Sequence, residues 1–238
     1  MTKSIDEKID QIDRGHLTNE LNSKGYILIS NFFSELQCQQ FIDQYDNPKG
    51  YRKTVNMERY RFGLGEYKYF DYPLPDIIQT LRERIYPKLV PVANSWMMML
   101  KLEKKFPALF KDLQAECRLS NQLKPTPLIL KYGQGGFNTL HQDLYGDIYF
   151  PLQAAIFLNE PDVDYKGGEF VLMQQVPRAQ SKAIVLKPKK GDMIIFTTNF
   201  RPIRSARGYS RANMKHGVSE VTSGSRHALG LIFHDAMS

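Results

Sequence analysis

Two histidines and one aspartate carry the chemistry most legible in this sequence. His141-Gln142-Asp143 sets an imidazole and a carboxylate two positions apart. On a β-strand, residues i and i+2 point the same way, so this spacing predicts that both side chains approach one metal ion from one side. His216 follows 73 positions after Asp143, beyond several apolar segments that could fold it back beside the pair. Two neutral imidazoles and one carboxylate on one face of an ion leave half of an octahedral sphere free. That is the arrangement of non-haem Fe(II) centres, which bind O2 and a co-substrate together. A structural zinc site would fill four positions, commonly with cysteine. Cys38 and Cys117 lie far from each other and from any CxxC pair, and read as free core thiols.

An arginine, Arg226, stands ten residues after His216 at the entry to the apolar run Ala228–Phe233. A guanidinium keeps its charge and forms two parallel hydrogen bonds to a carboxylate, so this position suits a buried carboxylate receptor. A zinc hydrolase with the same three ligands would leave Arg226 without that partner.

These residues need a scaffold that returns distant strands to one place. From about residue 121, short apolar runs alternate with Gly, Pro, Asn and Asp. Leu128–Tyr132, Ala154–Leu158, Phe170–Met173, Ala183–Leu186, Met193–Thr197 and Ala228–Phe233 each read as a strand. Short strands at this spacing predict a sandwich or barrel such as a jelly roll. The first 120 residues read mainly as helix. Ile5, Ile9 and Ile12 recur at helical spacing before Gly15 interrupts, and Ser34 opens a helix that reaches about Tyr45. Two further helices are expected, from Asp76 to Tyr86 and from Val92 to about Lys105, separated by Pro87 and Pro91. Tyr26–Ile29 reads as a lone strand. The expected fold is therefore α+β: a double-stranded β-helix over 121–238, supported by an N-terminal helical layer over 1–120.

Length and charge limit the partners. The chain has 238 residues and a net charge of +7. No apolar run approaches the roughly 20 residues of a membrane helix, and no signal-peptide core opens the sequence, so the cytoplasm is the expected location and no membrane partner is expected. A basic surface attracts anionic partners, nucleic acid among them. Two stretches concentrate such residues. Arg201 to Arg211, with Arg204 and Arg207 inside it, runs towards His216 and is expected at the rim of the site. Residues 51–72 hold Arg59, Arg61, Glu66, Tyr67, Lys68 and Tyr69 between Pro/Gly breaks, and read as a lid over the substrate. Arg61, Glu66, Tyr67, Arg204 and Arg207 are the candidate substrate contacts.

The second half resembles the 2-oxoglutarate/Fe(II) dioxygenases of prolyl-hydroxylase type. The resemblance rests on Tyr132-Gly133-Gln134-Gly135-Gly136, His141-Gln142-Asp143, Phe157-Leu158-Asn159, Gly167-Gly168-Glu169, Gly191-Asp192, His216 and Arg226, in that order over residues 125–235. It implies a jelly-roll fold with iron, Fe(II), held by His141, Asp143 and His216. It also implies 2-oxoglutarate held by Arg226 and Tyr132, and O2 as second co-substrate. Some prolyl hydroxylases carry a tyrosine where this chain has Phe157, which donates no hydrogen bond. The segment Phe62–Phe70 with Tyr72-Pro73-Leu74-Pro75 is similar to a small group of uncharacterised bacterial dioxygenase-like proteins. The activity implied is hydroxylation of a C–H bond in a protein side chain or amino acid, releasing succinate and CO2. Oxidative demethylation of alkylated nucleic acid is the alternative, and a non-catalytic jelly-roll binding module the alternative from another class.

Overall fold

Strands whose alternate residues face two apolar surfaces build the centre of this molecule. In the computed structural model, which describes residues 3–238, the first half contributes helices α1 (Ile5–Asp10), α2 (Arg14–Lys24), α3 (Glu35–Gln44), α4 (Asp76–Met99) and α5 (Phe110–Leu119). It also contributes strands β1 (Tyr26–Ile29), β2 (Tyr51–Asn56), β3 (Gly63–Leu64) and β4 (Glu66–Phe70). The second half supplies β5 (Leu128–Tyr132), β6 (Phe137–His141), β7 (Leu152–Phe157), β8 (Tyr165–Gly167), β9 (Phe170–Gln175) and β10 (Lys182–Leu186). After these come β11 (Met193–Thr197), β12 (Phe200–Ser205), β13 (Gly208–Val218), β14 (Val221–Gly224) and β15 (Arg226–Leu231).

The larger sheet runs β1-β11-β7-β15-β5-β4-β2, and the facing one β10-β9-β13-β6-β3. Their centres, β11-β7-β15-β5 and β10-β9-β13-β6, form the eight-stranded jelly roll, antiparallel throughout. The central strands β7, β11 and β15 of the large sheet divide their side chains between two cores. Ile156, Ile195 and Leu229 face outward into a cluster shared with Leu81, Ile85, Leu89 and Trp96 of α4. Phe157, Phe196 and Ala228 face inward and meet Phe170, Leu172 and Met214 of the opposite sheet. β11 is buried along its whole length, which is why it reads as an unbroken apolar run.

Three features depart from the sequence reading. First, α4 is one 24-residue helix that passes through both Pro87 and Pro91. Its buried stripe from Ile78 to Met97 stays in register, and the prolines fall outside that stripe, Pro87 half-buried and Pro91 exposed. Second, Gly15 lies inside α2. The break falls just before it, where the Asp13 carboxylate caps the helix by accepting from the His16 amide at 2.6 Å. Third, β1, β2 and β4 join the large sheet, so strands from before residue 121 and the later barrel share one hydrogen-bonded ladder.

The helical layer is tied to the barrel by a buried charge network. Arg82 of α4 is fully buried and donates to Asp235 Oδ1 at 2.7 Å, the Phe233 carbonyl at 2.8 Å and Tyr72 Oη at 3.1 Å. Tyr72 in turn donates to Asp235 Oδ2 at 2.8 Å. Removing one member of such a pair strands the other charge in the core, at about 3–5 kcal/mol. Arg82→Met is therefore expected to lower unfolding free energy by about that amount, and Arg82→Met with Asp235→Asn by clearly less, measured by urea denaturation.

His227 and His234 are both buried, and burial pushes each imidazole down to about 4. His234 Nδ1 accepts from the Phe150 amide at 3.2 Å, a bond that protonation there would break. A folded-state value below the unfolded one near 6.5 means that the unfolded chain binds more protons between the two. Stability is thus lost as pH falls from about 6.5 towards 4, by roughly 3 kcal/mol per histidine at the limit. Urea midpoints are expected to drop steadily from pH 7 to pH 5, and to drop less in His234→Gln.

Candidate active site

The register of β13 against β6 sets His216 directly opposite His141. Their rings lie 4.2 Å apart between centroids. β6 ends at His141, so Asp143 is delivered by the loop that follows and not by strand alternation. That loop is pinned by Gln142, whose Nε2 donates to the Asn199 carbonyl at 3.0 Å, Asn199 Oδ1 at 2.8 Å and the Met214 carbonyl at 2.7 Å. Asp143 then stands 3.5 Å from His141 Nε2 through Oδ1 and 3.2 Å from His216 Nε2 through Oδ2. The three side chains offer ligand atoms all within 4.8 Å of one another.

The charges suit a divalent cation. Burial would raise the Asp143 carboxyl, but His216 and His141 together hold it well below the usual carboxylate range. Burial, with His141 beside it, pushes His216 down, which keeps that imidazole neutral. Burial lowers His141 as well, yet Asp143 outweighs it and raises this imidazole above the ordinary value. His141 Nδ1 sits 2.8 Å from the Thr139 carbonyl, which accepts its proton and leaves Nε2 free as a ligand. Tyr145 Oη donates to Asp143 Oδ1 at 2.8 Å, and Tyr69 Oη lies 3.2 Å from Tyr145 Oη. Phe196 and Phe170 screen the His216 ring, with centroids at 4.9 and 6.2 Å.

The cluster opens onto a cavity of about 230 Å³ lined by residues of both sheets. Arg226 lines its other end. This arginine is 2% exposed, pairs with no carboxylate among the described residues, and its Nε has no hydrogen-bond partner. The guanidinium carbon lies over the rings of Tyr132 and Phe157 at 5.4 Å and of Tyr165 at 5.9 Å. Tyr132 is Arg226's cross-strand partner, is fully buried, and has its phenol pushed up to about 12 by burial. A buried, uncompensated guanidinium is costly without an anion, so the residues present fit a dicarboxylate whose other end reaches the metal cluster. The Gly167-Gly168 pair serves this arrangement. Gly168 has φ +62°, and a Cβ there would stand 2.9 Å from Arg226 Cδ.

The candidate substrate residues separate. Tyr67 lines the cavity. Glu66 is on the opposite face of β4, where it accepts from Tyr45 Oη at 2.8 Å. Residues 51–72 are not a single lid: β2 and β4 extend the large sheet, and only 58–64 arches across to β6. The arch is anchored by the Phe62 carbonyl, which accepts from the Thr139 amide and hydroxyl at 2.9 and 2.8 Å. Arg61 is exposed on this arch, at φ +60°, beside Phe62, which lines the cavity. Arg207 lies in the turn of the β12–β13 hairpin and Arg204 pairs with Tyr209 near its tip, so along β13 both stand roughly 20–30 Å from His216. They lie away from the rim expected for them, and Arg201 is buried, donating to the carbonyls of Asn22 and Ser23.

Sequence reasoning missed Tyr145 and Gln153, and placed Tyr69 only in a lid; all three line the cavity. Tyr145 follows Asp143 by two positions, the only signal that could have found it. Among the described residues, no helix is long and apolar enough to cross a membrane.

This fold and site are those of an oxygenase. The family described as "Oxygenase, catalysing oxidative methylation of damaged DNA" matches residues 65–236, and the chain belongs to it. Two uncharacterised proteins of Mycobacterium tuberculosis, from strains CDC 1551 / Oshkosh and H37Rv, are each 46% identical over 167 residues, covering 70% of this chain and 72% of theirs. The fold is similar to that of a Pseudomonas putida prolyl-4-hydroxylase (TM-score 0.52, 14% identity, 94% of this chain and 100% of that one). It is also similar to a Burkholderia pseudomallei oxidoreductase of the 2OG-Fe(II) oxygenase family (0.54, 14%, 95% and 94%). A third likeness is to a Trichoplax adhaerens prolyl hydroxylase in complex with a hypoxia inducible factor oxygen degradation domain peptide fragment (0.54, 16%, 99% and 94%). The His141, Asp143 and His216 cluster fits the Fe(II) of such oxygenases, and Arg226 fits their 2-oxoglutarate.

Because the metal competes with protons for these imidazoles, Fe(II) affinity measured anaerobically is expected to fall by about tenfold per pH unit once pH drops below the raised value of His141. His216→Ala is expected to weaken binding by at least roughly 100-fold, and retention of wild-type affinity in that variant would remove His216 from the ligand set.

Proposed function

We propose that this protein is an Fe(II)- and 2-oxoglutarate-dependent oxygenase that removes a methyl group from a ring nitrogen of a base in single-stranded DNA. The observation that carries the chemistry is Arg226, buried without an anion in the cavity that also holds the metal cluster. In this reading His141, Asp143 and His216 hold the metal. Arg226 binds the distal carboxylate of 2-oxoglutarate with help from the Tyr132 hydroxyl, and Phe157 provides only an apolar wall. When bound, iron and 2-oxoglutarate would supply, together with O2, the oxidant for C–H hydroxylation, one oxygen atom entering the C–H bond and the other entering succinate as 2-oxoglutarate loses CO2. Tyr145 holds Asp143 in place, while Phe170 and Phe196 keep water from His216. A methyl carbon hydroxylated next to a ring nitrogen leaves as formaldehyde, which restores the base.

The substrate class is supported by the family description and by the arch over the mouth. Tyr60 and Phe62 stack there at 5.6 Å between centroids and are 48% and 45% exposed, with the exposed Arg59 and Arg61 interleaved. Exposed aromatics beside cations form a stacking platform for unpaired bases. Hydroxylation of a protein side chain or amino acid has the prolyl-hydroxylase-like fold in its favour, and a fold alone does not fix a substrate.

Two measurements test this. Anaerobic titration of the Fe(II)-loaded protein with 2-oxoglutarate is expected to raise a saturable visible charge-transfer band, with Arg226→Leu needing roughly 10- to 100-fold more co-substrate. No band in a folded, iron-loaded protein overturns the cofactor assignment. By fluorescence anisotropy, a labelled single-stranded oligonucleotide is expected to bind with a steep salt dependence, and Tyr60→Ala with Phe62→Ala to weaken binding roughly tenfold or more. Absence of binding at low salt overturns the DNA substrate.

A further inference from the structure

Gln153 is 1% exposed and lines the cavity, yet neither its Oε1 nor its Nε2 has a hydrogen-bond partner. Buried side-chain amides in folded proteins are ordinarily paired, so two orphaned atoms on one side chain call for a ligand. Gln153, Ala155 and Phe157 share a face of β7, and all three line the cavity. The strand orders them along it. Phe157 lies against Arg226, whereas Gln153 is the cross-strand partner of Phe196, whose ring packs on His216. Gln153 therefore belongs to the metal end, beyond the reach expected of a carboxylate anchored on Arg226.

The chemistry of the amide narrows its partner. Its oxygen accepts and its NH2 donates, side by side. 2-Oxoglutarate carries acceptors only and would leave Oε1 unpaired. The partner must present a donor next to an acceptor. In the reading proposed above, on which this inference rests, the methylated ring nitrogen faces the metal, so the base turns another edge to Gln153. On the edge that faces the major groove in a duplex, adenine presents the N6 amine beside N7, guanine two acceptors, cytosine an amine alone and thymine an acceptor alone. On that edge only adenine matches both atoms; guanine's N2 amine beside N3 lies on the edge that carries the sugar, where the strand's backbone stands in the way of a buried side chain. We infer that Gln153 is the specificity-determining residue of this oxygenase and selects an adenine by pairing with its N6 and N7.

The test uses the Fe(II)- and 2-oxoglutarate-loaded protein without O2, and two single-stranded oligonucleotides that differ at one central base, 1-methyladenine or 1-methylguanine. Both purines carry the methyl at the same atom, and only the first offers a donor beside an acceptor on the edge away from the sugar. The wild type is expected to bind the 1-methyladenine strand roughly tenfold or more tightly. Gln153→Leu is expected to bind both strands equally, with a Tm equal to or above the wild type, because the substitution removes two unpaired buried atoms. A wild type without preference, or a preference that survives in Gln153→Leu, overturns the inference while leaving DNA as the substrate. A lowered Tm in that variant assigns the amide a structural role and overturns it too. Failure of the wild type to bind either strand at low salt sinks the DNA reading itself, and this inference with it.

Discussion

The pairing of β13 with β6 is the constraint on which the site depends. It sets His216 across from His141, and a slip of one residue would turn His216 to the other face of the sheet and empty the cluster. Several features hold the register. On its other edge β13 pairs with β9 over six consecutive residues from Asn213 to Val218. Gln142 ties the loop after β6 to the Met214 carbonyl of the same strand. Gly217 permits the close approach of β6, since a Cβ there would stand 2.6 Å from the Asn138 carbonyl oxygen. The metal cluster is thus a product of strand pairing, and the one ligand outside a strand, Asp143, is fixed by a hydrogen-bonding side chain next to it.

The cavity is polarised along its length. One end concentrates a carboxylate between two imidazoles, and the other a guanidinium among aromatic rings. Neither end is balanced within the protein: the first suits a cation and the second an anion. The helical layer makes this sustainable. By covering the outer face of the large sheet, α4 and its neighbours keep that sheet rigid and dry, and the Arg82–Asp235 pair fastens the layer to the chain beyond β15, the strand that carries Arg226.

Much of this was legible in the sequence because the relevant signals are local. Strand runs such as Leu128–Tyr132 and Met193–Thr197 match the observed strands residue for residue, since apolar runs between turn residues mark buried strands directly. The expected ligands, His141, Asp143 and His216, do converge, and Arg226 and Tyr132 do meet in one cavity. What was not legible depends on partners far away in the chain. Polar, aromatic stretches such as 51–56 and 66–70 form strands because a sheet edge is there to accept them, a partner that their β-prone tyrosines, Thr54 and Val55 cannot by themselves specify. The prolines of α4 suggested a break that a continuous buried stripe overrides. The arginines of the β12–β13 hairpin looked close to His216 because sequence distance ignores how far an extended strand carries a residue.

The unpaired Arg226 has a consequence for the life of the protein outside catalysis. A buried cation that no carboxylate among the described residues neutralises makes the ligand-free fold less stable than the liganded one, and whatever binds only the folded form stabilises it by mass action. Fold and co-substrate then share one equilibrium. Because proteases remove the transiently unfolded fraction, a dicarboxylate in the cavity would also slow the loss of folded chain.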